Sequence, residues 1–286
     1  MNEKKQFKIN PIEKLIFRRR REIVLAVGIL CITAYILSVH FEIILVPAIS
    51  FFLLLSLIYF SKLIIVSKIN QTAKYYTHEL NLAKSLESIN ALMEIIPLRE
   101  KIYHAILCVN RISCLIEMGE TEKAEEETRL FWQTFAPLKT PPYILLCLHH
   151  NMAIIKLRKR DFTGFNEQLK AACMYRDKLV GKRKKYHPED TVEYLTLIAA
   201  TYGEYNPELE GKLLTTLNFQ NGEPRKKPAS PARYIGVYYR LFEFFKNNNL
   251  PEQAMHYAEL VINIGNEQFL SYRNAKEYLS NANGSN

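Results

Sequence analysis

Two long apolar segments lie almost end to end near the start of this 286-residue chain, and they constrain its fold more than any other feature. Residues 23–39 carry no charge, and residues 43–66 carry a single charge at Lys62. A helix needs about 20 apolar residues to cross the hydrocarbon core of a bilayer. The pattern therefore predicts a transmembrane helical hairpin that occupies residues 22–67, with these two segments as its spans.

The charges around the hairpin predict its orientation. Residues 1–21 form a basic segment with eight Lys or Arg and two Glu, whereas residues 38–42 between the spans contain neither Lys nor Arg. Because cytoplasmic flanks carry an excess of Lys and Arg, we expect both termini in the cytoplasm and a tight turn outside. A cleaved signal peptide is the alternative for the first segment, but no small-residue cleavage site follows it. The predicted membrane-surface anchor consists of Arg18, Arg19, Arg20, Arg21 and Lys62.

The net charge of +9 belongs mostly to this membrane end, since residues 69–286 hold 28 basic and 25 acidic side chains. The lipid bilayer is therefore a predicted partner, and nucleic acid is not. The five cysteines form no CxxC pair and lie in apolar stretches, which indicates reduced thiols in a reducing compartment. The composition is rich in Lys, Ile and Asn and favours a bacterial source, so we expect the chain in a bacterial plasma membrane.

Residues 68–96 are predicted to form a juxtamembrane helix. No Gly or Pro occurs from Ala48 to Ile96, which favours one continuous helix out of the membrane. Apolar residues form a stripe at heptad-like spacing along it, namely Leu82, Leu86, Ile89, Met93 and Ile96. The stripe either packs on the next helices of the same chain, which we favour, or pairs with a second copy to give a homo-oligomer.

From residue 97 to residue 281 the apolar periodicity is helical throughout, and most prolines fall at joints between helices. Four helix pairs flank turns at Gly119, Arg160, Gly203 and Asn249, which are 41, 43 and 46 residues apart. A helix pair that recurs at such a period predicts an all-α stacked array. Residues 282–286 are polar and are predicted to form a disordered tail.

The pairs carry a recurring step from the turn to an alanine. Gly119 is followed five residues later by Ala124, and Asn249 is followed in the same way by Ala254. The first helix of the last pair adds a run of large residues, namely Tyr238, Leu241 and Phe245. In these features the region resembles the tetratricopeptide repeats, although its period exceeds their about 34 residues and two of the four pairs lack the alanine.

This resemblance implies a right-handed stack of antiparallel helix pairs, with a concave groove lined by the first helix of each pair. Such grooves usually bind a protein or a peptide, so an unidentified protein or peptide is the predicted partner. The alternative interpretation is that each groove position is an ordinary solvated or packed position in an irregular stack. Carried over residue by residue, the candidate groove consists of Val109, Ser113, Glu117, His150, Ile154, Arg158, Glu193, Leu197, Tyr239, Glu243, Lys246 and Asn247.

No catalytic or metal-binding motif stands out in the sequence, which lacks HExxH, GxGxxG, GxxxxGK[ST] and GxSxG. The neighbours His149 and His150 would point about 100° apart on a helix and would not easily share one ion. We therefore predict no catalytic residue, no cofactor, no metal and no enzymatic activity. An enzyme that acts on lipids is a third class, which ionisable side chains converging at the membrane surface would favour.

The predicted function is a membrane-anchored scaffold or adaptor that presents a helical-repeat groove on the cytoplasmic side. Tethering at a membrane raises the effective concentration of partners, so a weak groove would suffice. The alternative is a structural subunit of a larger membrane complex, such as an export or envelope assembly, whose other subunits would pack against the two spans.

Overall fold

A computed structural model describes residues 7–40, 45–135, 139–179, 188–220 and 223–283 of the chain. Within these residues the protein is all-α, as predicted, with twelve helices and one short two-stranded hairpin. The elements are α1 (Pro11–His40), α2 (Leu45–Thr77), α3 (Leu82–Ile95), α4 (Lys101–Met118), α5 (Thr121–Thr134), α6 (Pro142–Arg158), α7 (Phe162–Asp177), α8 (Pro188–Ala200), α9 (Pro207–Asn218), β1 (Phe219–Gln220), β2 (Glu223–Pro224), α10 (Pro231–Asn247), α11 (Pro251–Ile264) and α12 (Leu270–Asn283).

Helices α1 and α2 pack against each other as an antiparallel hairpin. The Cys31 thiol lies 3.1 Å from the Ser50 carbonyl oxygen, and Arg20 Nε donates to Ser61 Oγ at 3.2 Å. Of the turn predicted outside the membrane, residues 38–40 belong to the end of α1, and residues 41–42 lie outside the described residues.

Both helices are long and apolar enough to cross a membrane, over Pro11–Ser38 and Ala48–Thr77. In the most apolar stretch of each helix only 6% and 11% of the residues are buried. The core helix of a soluble domain would have most of its apolar side chains covered. These two helices instead leave large side chains such as Leu30 and Phe52 exposed.

The second half of the basic N-terminal segment is helical. Helix α1 begins at Pro11, well before the first apolar segment, and bends at Arg19, where φ is −117° and ψ is 16°. Phe17 is buried within the main hydrophobic core, and the ring of Phe7 meets the ring of Tyr75 edge to face at 6.2 Å. The segment thus packs on the end of α2, and its first six residues lie outside the described residues.

The predicted continuous juxtamembrane helix is wrong, because α2 ends at Thr77 and α3 begins at Leu82. Leu80 adopts a left-handed backbone with φ of 52°, and the Asn81 amide N–H donates to the Tyr75 carbonyl oxygen at 2.8 Å. The Asn81 side chain then accepts from the Lys84 amide and caps the new helix. A capped turn of this kind ends a helix without Gly or Pro.

The apolar stripe of α3 packs inside the chain, in agreement with the favoured interpretation. Leu82, Ile89 and Ile96 are fully buried, and Leu86 and Met93 pack against the same core. Helix α3 contacts both α2 and α4. The stripe is therefore not free to pair with a second copy of the chain, because neighbouring helices already cover it.

All four predicted helix pairs are present as neighbouring helices, from α4 with α5 to α10 with α11. Three of the four turn residues adopt a left-handed backbone, namely Gly119, Arg160 and Asn249. Such a residue satisfies the last carbonyl groups of the first helix while it reverses the chain. Beyond the pairs, α4 packs on α6 and α6 packs on α8.

The C-terminal helix closes the array, which the sequence did not predict. The Asn266 amide group donates to the Leu80 carbonyl oxygen at 2.8 Å, and Arg273 Nη2 donates to the Met118 carbonyl oxygen at 2.7 Å. The ring of Phe269 stacks on that of Tyr76. Since repeats in an open stack contact only their neighbours, this closure is a departure, and a tetratricopeptide arrangement is not confirmed. Residues 282–283, placed in a disordered tail, belong to α12, and residues 284–286 lie outside the described residues.

Candidate functional site

The closed helical region surrounds three adjoining cavities. The inner cavity, of about 240 Å³, is lined by residues from α2, α4, α6, α8, α10 and α12. It shares seven lining residues with a first outer cavity of about 510 Å³, and three with a second outer cavity of about 690 Å³. Residues of α12 line the inner cavity and the second outer cavity.

Ten of the twelve predicted groove residues line these cavities. They are Val109, Ser113, Glu117, His150, Ile154, Arg158, Tyr239, Glu243, Lys246 and Asn247. Glu193 and Leu197 of α8 line none of the three, and their neighbours Tyr194 and Ile198 line the inner cavity instead. The positions taken from the repeat family are therefore one residue out of register on α8. A shift of one residue turns the side chain by about 100° around the helix axis.

Helical spacing explains why these side chains converge. His150, Ile154 and Arg158 follow one another at four-residue intervals on α6, so they share one face of that helix. On α10, Arg233 and Arg240 are seven residues apart and likewise share a face. Pro142 and Pro231 begin these two helices at a position where proline is tolerated.

The inner cavity is positively charged. Three guanidinium groups, those of Arg158, Arg233 and Arg240, line it together with a single carboxylate, that of Glu117. Arg240 Nη1 pairs with Glu243 Oε2 at 2.7 Å and donates to the Tyr202 hydroxyl at 3.2 Å. Its charge is thus largely balanced at the edge of the cavity.

The other two arginines are not balanced in this way. Arg158 donates from Nη1 to the Ile116 carbonyl oxygen at the end of α4. The guanidinium carbon of Arg233 lies 3.4 Å from the centre of the Tyr194 ring. Over the described part of the chain, neither arginine has a carboxylate within 4.0 Å. Two buried or half-buried positive charges therefore face the cavity without an ion-pair partner.

These surroundings shift the protonation of several groups. Burial lowers the pKa of His150 to about 4, with further lowering from Arg233 and Arg240, so its imidazole is neutral at pH 7. Burial also lowers the pKa of Arg158, while Glu117 opposes that shift. For Arg240, burial acts to lower the pKa, but Glu243 and the nearby tyrosines raise it above its ordinary value. Arg240 therefore stays charged.

Three buried polar atoms that line the inner cavity lack a hydrogen-bond partner within the described residues. They are His150 Nδ1, Arg233 Nε and Ser271 Oγ. The side chain of Ser271 is fully inside, with 4% of the residue exposed. Leaving a buried polar group unpaired costs about 1–3 kcal/mol. All three residues line one cavity, where these atoms are placed to hydrogen-bond to a bound molecule.

Sequence reasoning missed three of the residues that matter most in this site. The sequence contained a weak indication of Arg233 and Arg240, because both lie on the cavity face of a helix already assigned to the groove. It contained no indication of Ser271, because this residue reaches the cavity only through the packing of α12 in the folded chain.

The predicted membrane-surface arginines divide into two groups. Arg20 and Arg21 pair with the two oxygens of Glu100, at 3.3 Å and 2.9 Å, and so join α1 to the start of α4. Arg18, Arg19 and Lys62 are exposed. Half of the basic run therefore holds the junction between the hairpin and the helical region.

Within the residues described, no group of three or more His, Cys, Asp or Glu side chains has the geometry to hold a metal ion, and all five cysteines are free thiols. No protein-family model, no curated protein and no solved structure matches this chain.

Proposed function

We propose that this protein is a membrane-anchored adaptor that binds a segment of another protein in the two outer cavities, on the cytoplasmic side. The observation that carries the proposal is the convergence of ten predicted groove residues on adjoining concave surfaces. The second outer cavity holds four basic side chains and two acidic ones, so an acidic segment fits it best. The basic residues there are Arg158, Arg160, Arg240 and Lys246.

The hairpin supports the anchoring part of the proposal. Its apolar side chains are exposed along both helices, and a bilayer would cover them. The basic excess of residues 1–21 supports cytoplasmic termini. A groove held at the membrane meets membrane-bound partners at raised effective concentration, so a modest affinity is enough.

We treat the four helix pairs as a tetratricopeptide-like array closed by α12. Ala124 and Ala254 support this, because both are fully buried at the position where that family brings its two helices together. The buried Leu241 and Phe245 of α10 occupy the matching large-residue positions.

Site-specific photo-crosslinking in cells tests the adaptor proposal. A crosslinker placed at Lys246 or Asn247, which are exposed at the second outer cavity, is expected to capture a protein partner. The matched control is Glu193, which is exposed on the neighbouring helix α8 but lines none of the three cavities. Equal yields at the cavity positions and at Glu193 would contradict a role for the groove.

A structural subunit of a larger membrane complex is the second candidate. It rests on the exposed aromatic side chains of α2, since Phe51, Phe52, Tyr59 and Phe60 offer a packing surface to other transmembrane helices. Purification in mild detergent separates the two functions. Membrane proteins recovered in equal amounts with the chain favour the subunit, whereas a soluble partner in lesser amounts favours the adaptor.

A further inference from the structure

We propose that the inner cavity binds a soluble small molecule through a phosphate group. This site adjoins the surfaces assigned to the adaptor and shares lining residues with both outer cavities, but the proposal does not depend on the adaptor function. The proposal rests on the charge of the cavity, on its unpaired donors, on its size and on its distance from the membrane.

Charge is the first argument. The inner cavity contains three arginines and one carboxylate, and neither Arg158 nor Arg233 has an ion-pair partner within the part of the chain that the structure describes. A buried charge is stable only when it is paired or hydrogen-bonded. A phosphate monoester carries a charge of about −1.5 to −2 at pH 7, which matches this local excess.

Hydrogen bonding is the second argument. Arg233 Nε and the Ser271 hydroxyl both have a hydrogen to donate, and neutral His150 donates from Nδ1 in one of its tautomers. These three groups lie on α10, α12 and α6, so they approach the cavity from different sides. A phosphate group offers several oxygen acceptors at once, and arginine binds such oxygens through more than one N–H.

Size and position favour a soluble ligand. The inner cavity, at about 240 Å³, lies below the range of about 300–1,000 Å³ that holds drug-sized ligands, so a small metabolite fits better than a folded segment. Tyr76 lines the cavity and lies ten residues beyond Val66, where the apolar segment ends. At ~1.5 Å per residue the cavity is about 15 Å further along α2, which is beyond the reach of a headgroup phosphate at the hydrocarbon boundary.

Titration of the full-length chain in detergent tests the proposal. The probes are inorganic phosphate and glycerol phosphate, added at constant ionic strength against sodium chloride, and the readout is thermal unfolding followed by fluorescence of the single tryptophan, Trp132. We expect saturable stabilisation by both probes. Replacing Arg233 by Gln should weaken binding by at least about 10-fold, since the hydrogen bonds it removes are made by a charged group.

Two further variants keep the result interpretable. Ser271→Ala removes one hydroxyl, should fold as the wild type does, and is expected to weaken binding by about 3-fold or more. Arg111→Gln is the matched control, because Arg111 of α4 pairs with Glu127 of α5 at 3.0 Å and lines none of the three cavities. That variant should keep the wild-type affinity. Should Arg233→Gln fail to unfold cooperatively, the comparison of Ser271→Ala with Arg111→Gln decides.

Three outcomes would overturn the proposal. In the first, phosphate stabilises the wild-type chain no more than chloride does, and in the second, Ser271→Ala binds the probes as tightly as the wild type. In the third, vesicles that contain phosphatidic acid stabilise the chain while both soluble probes fail, which would place the phosphate on a lipid. Crosslinking at Lys246 is unaffected by any of these results, so failure of the adaptor proposal and failure of this one are distinguishable.

Discussion

Arg240 is a buried charge that contacts two other side chains. Its side chain is almost fully buried, and it contacts both Glu243 and the Tyr202 hydroxyl. We expect Arg240→Met to lower the free energy of unfolding by about 3 kcal/mol, because it leaves the Glu243 carboxylate without its partner. Urea unfolding in detergent, followed by Trp132 fluorescence, measures the loss.

The matched control for that variant is Arg129→Met. Arg129 pairs with Glu126 at 2.5 Å, but both side chains are exposed on α5, where solvent screens an ion pair and its contribution to stability is small. The double variant Arg240→Met with Glu243→Gln should recover part of the loss. Equal effects of Arg240→Met and Arg129→Met would contradict the importance of the buried pair.

His150 makes stability depend on pH at the residue scale. Because its pKa falls from 6.5 in the unfolded chain to about 4 in the folded one, the unfolded state binds more protons between these values. The stabilisation is complete above pH 6.5 and is lost as the pH falls toward 4, by about 3 kcal/mol in total. His150→Gln should therefore show a shallower decline of unfolding free energy over pH 6.5 to 4.

The neighbouring His149 also has a pKa lowered by burial, but it is present in both proteins and cancels in the comparison. Arg233 and Arg240 also face His150 in the cavity, and both are present in the wild type and in the variant. Parallel pH profiles for the wild type and His150→Gln would show that the imidazole is not excluded from water.

At the scale of elements, one glycine decides how α4 joins α5. Gly119 has φ of 80°, and a Cβ there would lie 3.1 Å from Leu270 Cδ1 of the closing helix. Gly119→Ala is expected to reduce the free energy of unfolding by at least ~1 kcal/mol, from backbone strain and from this contact. The measurement is the same urea titration.

At Gly211 the same substitution is expected to change the free energy of unfolding in the opposite direction. It lies inside α9, and a Cβ at that position would meet nothing within 4 Å. Gly211→Ala should raise the free energy of unfolding by about 0.5–1 kcal/mol, since alanine favours the helix more than glycine does. A loss at Gly211 as large as that at Gly119 would show that the turn conformation is not what matters.

At the scale of the whole molecule, membrane insertion depends on the uncovered faces of α1 and α2. Leu30 and Leu55 are 67% and 46% exposed near the middle of the two apolar segments. Replacing both by Lys should lower the fraction of chain that resists alkaline extraction from membranes, since each charge costs about 2.5–3.5 kcal/mol at a span centre. The double alanine variant at the same positions should stay inserted.

The helical architecture was largely predictable, whereas the site was predictable only in part. Local periodicity and turn residues located four helix pairs, because a helix is stabilised by contacts within a few residues. The break at Leu80 was missed, since a side-chain cap and a left-handed turn can end a helix that contains no Gly or Pro. On α8 the predicted positions came from the spacing of the repeat family and were one residue out of register. A shift of one residue on a helix moves the side chain to a different face.

The amino-acid sequence by itself determined the all-α class, the two apolar helices, the helix pairs and the side chains that face inward on α4, α6 and α10. These features depend on neighbours in the chain, so periodicity and composition record them. Only the tertiary structure decided that α12 and the residues just before it return to α4 and to the turn between α2 and α3, that Ser271 lines the same cavity as Arg233 and His150, and that Arg20 and Arg21 pair with Glu100. Those contacts join residues far apart in the chain, and their pairing depends on how complete faces fit together, which no local pattern encodes.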